Sequence, residues 1–276
     1  MENFLNLENQ IINVLSHIGY NTDRCVKDKF VNCAKMEDNE IAKDILGYLV
    51  ENIDIASEGN FPLCQDTGLV VFWVKIGCRV QVPNLNKILN EAVIKAYYIN
   101  NYRHSVVKDP ILRINTNNNT PPIIHYEVVD QDIFEIKIML KGGGSENMSA
   151  LQMLKPADGL SGIHDFVIKT VKKAGGNACP PLIVGVGIGG NFETCAWLAK
   201  KALFREHDSE SEFWRKEENK ILSEINKLNI GPMGMGGRTT ALKVNIEVAP
   251  CHIASLPVAV NLECHAHRVG KIKLVI

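Results

Sequence analysis

The sequence predicts an α+β protein: a helical N-terminal part, then mixed α and β with a largely antiparallel sheet, in one compact domain. Three observations point there. Apolar residues recur at a helical spacing through the first 58 positions. Beyond them come short runs rich in β-branched and aromatic side chains, separated by glycine-rich turns and further amphipathic stretches. No internal repeat, low-complexity tract or linker interrupts the 276 residues, a length at which one large domain or two modest ones can bury a substantial core.

The elements follow in order. Leu5, Ile11, Ile12, Leu15 and Ile18, then Ile41, Ile45, Leu46 and Leu49 after the acidic start at Glu37 and Asp38, mark N-terminal helices. Glu58-Gly59-Asn60 and Pro62 break the pattern, and Leu69 to Ile76 reads as a buried strand. Asn84, after Pro83, is placed to cap a helix over 84–101. Arg113 to Pro122, with four asparagines and two prolines, is a loop. Ile123–Val129 and Ile133–Leu140 are expected as antiparallel strands joined by the turn Asp130-Gln131-Asp132. Helices are expected over 158–174, 191–204 and 212–228, the last with a solvated face, and strands over 241–248, 257–262 and 271–276.

Composition excludes several function classes. Thirty basic side chains stand against 31 acidic ones, with a sequence pI near 6.7, so no basic face is available for a nucleic acid. The longest apolar runs, 180–188 and 253–262, are short of the roughly 20 residues that span a bilayer. MENFLNLENQ has no cationic segment followed by an apolar one, so no signal peptide is visible and a cytoplasmic location is expected. In that compartment the eight cysteines are buried apolar residues, metal ligands or nucleophiles rather than disulfides. No CxxC pair exists, so a bound metal would draw ligands from distant parts of the chain.

Four segments are unlike ordinary packing sequence. Pro62-Leu63-Cys64-Gln65-Asp66-Thr67-Gly68 puts a thiol, an amide, a carboxylate and a hydroxyl at the edge of a strand; the plain alternative is a turn in which Asp66 caps its own backbone. Lys141-Gly142-Gly143-Gly144-Ser145-Glu146-Asn147 directs backbone N–H groups toward an anion, or is a flexible strand end; no Gly-Lys-Ser/Thr closes it as a Walker loop. The run from Asn177 through Cys179 to Gly190 leads into a helix but lacks the GxGxxG spacing and the later acidic residue of a dinucleotide site. The fourth is Ala249-Pro250-Cys251-His252, an apolar strand, and Glu263-Cys264-His265-Ala266-His267-Arg268. Continued as a strand, it would put His265 and His267 on one face and Cys264 on the other. Upstream, Gly231-Pro232-Met233-Gly234-Met235-Gly236-Gly237-Arg238 is another glycine-rich loop ending in a cation. Three thiolates can hold a cubane iron–sulfur cluster and leave one iron open as a Lewis acid, although spacing does not select three cysteines from eight.

PLCQDTG, KGGGSEN, CPPLIVGVGIGG, GPMGMGGRTTAL and the segment from His252 to Cys264 resemble the catalytic part of class I (iron–sulfur) fumarate hydratases, over roughly residues 10–270. The closely related L(+)-tartrate dehydratase α subunits look similar. The resemblance implies that residues 1–276 form the catalytic (α) domain of an iron–sulfur hydro-lyase, with a 4Fe-4S cluster on Cys64, Cys179 and Cys264. It implies substrate contacts from Gln65, Asp66, Arg103 and the backbone at Gly142, and an active-site histidine at His252. Asp66 would transfer a proton or orient the true base. Arg103 is the loosest match, with Arg113 as its rival. Cys25, Cys33, Cys78 and Cys195 match no motif and are expected as buried apolar packing; Cys251 has no implied role, and His265 and His267 are candidates to tune the cluster from beside Cys264.

The implied reaction is the reversible hydration of fumarate to (S)-malate, a small dicarboxylate; the same chemistry on L(+)-tartrate is the nearest alternative. A non-catalytic zinc or nucleotide-binding module is the alternative of a different class. Single-chain members of the family continue into a swivelling lid domain after the segment that ends near Lys271. Its expected place is therefore a separate β subunit, in an α2β2 assembly, with Arg103, Arg238 and Lys141 the cations this chain offers to the substrate.

Overall fold

A computed structural model of the chain describes residues 6–59 and 61–274; Leu5, Asn60 and the last two positions of the expected final strand lie outside the described residues. The helical N-terminal part is α1 (Leu7–Tyr20), α2 (Arg24–Met36) and α3 (Glu40–Ser57). Then come β1 (Leu69–Gly77), α4 (Leu85–Ile99), β2 (Ile123–Val129), β3 (Phe134–Lys141), the single turn α5 (Gly143–Glu146) and β4 (Ala150–Leu154). The chain continues through α6 (Gly159–Ala174), β5 (Leu182–Gly190), α7 (Phe192–Ala202), α8 (Glu212–Asn226), β6 (Ala241–Cys251), β7 (Leu256–Glu263) and β8 (Val269–Leu274). The α+β class is borne out. The described residues form two compact units, each gathered from separate stretches: 1–23, 52–143 and 268–276 in one, 24–51 and 144–267 in the other.

The first unit holds a four-stranded sheet in the order β2-β1-β3-β8. α1 offers Leu7, Ile11, Leu15 and Ile18, and α4 offers Leu89, Val93 and Ala96, to Val70, Phe72 and Val74 of β1 and Phe134, Ile136 and Ile138 of β3. β2 and β3 are not the expected hairpin: β1 lies between them, parallel to β2 and antiparallel to β3. Burial explains the arrangement. Val70 to Val74 are all buried, which suits a central strand, whereas β2 exposes Ile123, Tyr126 and Val128 and belongs at an edge. The segment 130–132 is thus a crossover, held where Cys78 N–H donates to Val129 O and Gly77 N–H to Ile133 O (both 2.8 Å). Asn84 also departs from expectation. It takes a left-handed conformation (φ 58°) and its side chain makes no capping bond; its carbonyl accepts from Ile88 instead.

The second unit holds a four-stranded sheet in the order β4-β7-β5-β6. Val184 and Val186 of β5, Val244 and Ile246 of β6 and Val258 and Val260 of β7 form a core with Phe166, Val167, Ile221 and Ile225 of α6 and α8. On β5 the alternate positions are glycines, and α7 lies against them. A Cβ on Gly185 would stand 2.3 Å from Ala199 O, and one on Gly187 2.0 Å from Cys195 O. These glycines serve close helix–strand packing, which fits the absence of a dinucleotide fingerprint. The edge strand β4 escapes sequence reading because it is five residues long and only partly buried. Of the four cysteines expected as buried packing, Cys195 is buried, but Cys25 and Cys78 are exposed and Cys33 is half-buried. Cys78 sits in the turn after β1, where no layer covers it.

Candidate active site

In the first unit the loop before β1 is organised by Asp66. Its Oδ1 accepts from the Gly68 amide at 2.9 Å and from Ser105 Oγ at 3.4 Å, while Oδ2 accepts from the Gly143 amide at 2.8 Å. Asp66 therefore caps its own turn and also fastens the start of the KGGGSEN segment to the PLCQDTG loop. Glycine is required at two points of this corner. Gly68 has φ +81°, and a Cβ on it would lie 2.6 Å from Lys141 O. A Cβ on Gly142 would lie 3.5 Å from Asp66 Oδ2, so its absence keeps the carboxylate's flank open.

Neutral donors and acceptors support the corner from below. Tyr97 Oη donates to Thr67 O (3.0 Å) and Gly68 O (2.9 Å). Burial pushes the Tyr97 phenol well up from its ordinary pKa, more than the nearby Arg268 guanidinium draws it down, so it remains a donor. Thr67 Oγ1 donates to Arg103 O at 2.9 Å. Asn119, fully buried in a left-handed conformation (φ 57°), accepts from the Ser105 and Val106 amides at 2.7 and 3.3 Å and donates to Gly68 O at 3.2 Å. The Arg103–Ser105 stretch is thereby docked beside Asp66, with the side chains of Gln65 and Arg103 exposed. Arg113 has no such link: it closes the exposed turn begun by Asp109, in a left-handed conformation (φ 59°). Lys141 is 2% exposed, and its Nζ donates to Gly142 O at 3.4 Å.

In the second unit the remaining cysteine motifs converge. Cys179 takes a left-handed conformation (φ 53°), and its carbonyl accepts from the His265 amide at 3.1 Å, which brings the backbone beside Cys264 to Cys179. Pro180 O accepts from Met233 N–H at 2.8 Å, so the GPMGMGG loop joins the same cluster of turns. Residues 264–268 are not a strand, so the facing of His265 and His267 expected from strand alternation does not apply. Glu37 gathers the end of the GPMGMGGR loop, accepting from the Arg238 amide (3.0 and 3.2 Å) and from Thr239 Oγ1 (3.3 Å). The Arg238 guanidinium pairs with Asp38 on the surface.

His252 is exposed in the turn between β6 and β7, where its Nδ1 accepts from the Ala254 amide at 3.1 Å. β7 separates it from Cys264, since Ile183 pairs with Glu263 at one end of β5 while Gly190 pairs with Cys251 at the other. An eight-residue strand at about 3.3 Å per residue keeps the two ends roughly 25 Å apart. Among the described residues no three His, Cys, Asp or Glu side chains stand together as a ready metal site. The donor chemistry nevertheless suits a thiolate-held group: Cys179 and Cys264 come from adjoining backbone, and soft sulfur ligands favour iron–sulfur over a hard cation.

Residues 8–273 match the profile of the fumarate hydratase (fumerase) family. The chain belongs to that family. Similar relatives include a Methanocaldococcus jannaschii protein whose name provisionally assigns it as an L(+)-tartrate dehydratase α subunit, 44% identical over 90% of this chain and 91% of its own length. The L(+)-tartrate dehydratase α subunit of Escherichia coli K12 is 34% identical over 89% of this chain and 83% of its own. As a fumarate hydratase family member this chain is an enzyme of the hydro-lyase class. None of its described helices is long and apolar enough to cross a membrane.

The polar corner around Asp66 has members that no sequence motif marked. Ser105, Asn119, Tyr97 and Arg268 all lie in or against it. Asn119 had a signal, since a run of asparagines is where left-handed backbone and side-chain bonds to main chain concentrate. Arg268 had none beyond being a cation at the end of an apolar strand.

Proposed function

We propose that this chain is the cytoplasmic α subunit of an iron–sulfur hydro-lyase that interconverts fumarate and (S)-malate. The observation that carries the reading is the Asp66 carboxylate, two residues after Cys64, fixed on both oxygens by the Gly68 and Gly143 amides and Ser105. Cys64, Cys179 and Cys264 would hold a 4Fe-4S cluster, which supplies an iron without a protein ligand as a Lewis acid for the substrate hydroxyl. Asp66, with its rotamer locked, holds or orients the proton exchanged at the substrate's C3. Gln65 and Arg103 at the loop surface, with the backbone at Gly142, bind and orient the carboxylates. A β subunit supplies the lid and the further cations needed by a dianion. His252 stands at the far end of the second sheet from Cys179 and Cys264, so it reaches a cluster site only from a second copy of the chain, which an α2β2 assembly provides.

A second reading, dehydration of L(+)-tartrate by the same groups, is favoured by the names of the relatives. The deciding experiment purifies the chain anaerobically with its partner subunit and compares kcat/KM for (S)-malate and L(+)-tartrate. Faster turnover of malate supports the first reading, and faster turnover of tartrate selects the second. Turnover of neither sinks both. In the same preparations Cys179→Ser should lose the cluster's visible absorbance and Cys25→Ser should retain it; a cluster intact in Cys179→Ser refutes the ligand set.

A further inference from the structure

Arg268 is the largest side chain with essentially no exposure among the described residues, at 0%. Its Nε, Nη1 and Nη2 all lack a hydrogen-bond acceptor. A buried guanidinium in this state is costly, because its charge has left water without finding a counter-ion. Its placement is nonetheless tightly set. The Arg268 carbonyl accepts from the Leu140 amide at 3.1 Å, which seats it beside the end of β3, just before the KGGGSEN turn. A Cβ on Gly142 would lie 3.9 Å from Arg268 Nη2 and 3.5 Å from Asp66 Oδ2. The guanidinium and the Asp66 carboxylate therefore both lie toward the side-chain face of Gly142. Its charge is felt there: burial raises the pKa of both Tyr97 and Tyr102, and the Arg268 charge works against that rise at each.

We propose that Arg268 is a positioning residue for anions: its guanidinium is kept free of protein acceptors so that its charge falls undiminished on a carboxylate group held at the Asp66–Gly142–Gly143 corner. A paired arginine would present a near-neutral dipole to that corner, whereas an unpaired one in a low-dielectric setting presents a full charge. Asp66 alone would repel a dicarboxylate, and a fixed, buried cation beside Gly142 offsets that repulsion. The inference rests on the reading of this corner as a dicarboxylate site, and it goes further by assigning the charge that makes the corner tolerant of a dianion.

The test uses the full chain with its partner subunit and succinate, a dicarboxylate that carries no hydroxyl to eliminate. Arg268→Met and Arg268→Gln are compared with wild type by calorimetric Kd for succinate and by Tm without ligand. The expected result is a Kd weakened by roughly tenfold or more, the size of a lost charge-assisted contact, with a ligand-free Tm unchanged or raised. Arg268→Lys, which keeps the charge, should lose less affinity than either. A lowered Tm with unchanged succinate affinity would overturn the proposal, as would failure of both neutral variants to fold, because the charge would then serve the fold. Wild-type protein that does not bind succinate would overturn it as well. Absence of hydration activity alongside Arg268-dependent succinate binding would sink the proposed reaction and leave this inference standing.

Discussion

The two units share a pairing scheme and differ in what they do with buried charge. Each sheet is built on a central antiparallel pair, β1–β3 or β5–β7, with a parallel strand added beside one member and an antiparallel strand beside the other. In the second unit Lys200, Arg205 and His164 each have a carboxylate partner, although Arg205 Nε is left without an acceptor. Lys200 binds both oxygens of Glu146 at 2.6 and 2.7 Å, and Arg205 is held by Glu218, Asn245 and Ile246 O. His164 lies between Glu217 (2.8 Å) and Glu224 (3.3 Å). In the first unit the neutral groups around Asp66 are thoroughly bonded while Arg268 has no acceptor. The difference separates two uses of a buried charge. Where it joins elements together it has a carboxylate partner, and on the proposal above the one beside the Asp66 corner is left without an acceptor.

The sharpest way to break this comparison is to remove a cation from the second unit. Arg205→Met leaves Glu218, with a side chain 6% exposed, facing only the Ile246 amide. The expected loss is about 3–5 kcal/mol of stability, read from urea denaturation, in contrast to no loss for Arg268→Met. Equal destabilisation by both would erase the distinction.

A middle-sized effect should come from Asn119→Ala in the first unit, which frees the Ser105 and Val106 amides and leaves Gly68 O to Tyr97 alone. Stability should fall by about 1–3 kcal/mol, and kcat/KM should fall further than stability accounts for, because Ser105 loses its place beside Asp66. Faster hydrogen exchange at the Ser105 amide would locate the change. A variant of normal activity would show that the docking of 103–106 is scaffold only. The smallest effect is expected at the exposed pair Lys216–Glu212, with side chains 73% and 69% exposed. Glu212→Ala should shift stability by no more than about 0.5 kcal/mol, and a larger shift would mean that surface charges carry weight that the buried ones were credited with.

Legibility in the sequence followed the range of the physics involved. Periodic apolar faces announced α1 and α3, and a β-branched and aromatic run announced β1, because burial leaves a pattern within a few residues. Strand partnership did not. Nothing in 123–140 tells that β1 slips between β2 and β3, since that depends on which strand is buried on both faces. The corner was legible as motifs, Cys64 to Gly68 and Lys141 to Asn147, but its joinery was not: Asn119, Tyr97 and Arg268 reach it through tertiary contacts that no local spacing encodes. His252 shows the same limit from the other side. The apolar strand between it and Cys264 was legible, but the pairing that carries the two to opposite ends of a sheet was not.

The order of the chain has a consequence for synthesis. β8 pairs with β3 and packs against α1, where a Cβ on Gly270 would come within 2.6 Å of Val14 Cγ1. Arg268 enters with that strand. The ribosome therefore delivers every residue of the second unit before it releases the last strand of the first. Until then that edge of β3 is unpaired and the Asp66 corner lacks Arg268. On the proposal above, anion affinity arrives only with that strand, and a chain cut short after residue 267 would carry most of the motifs without it.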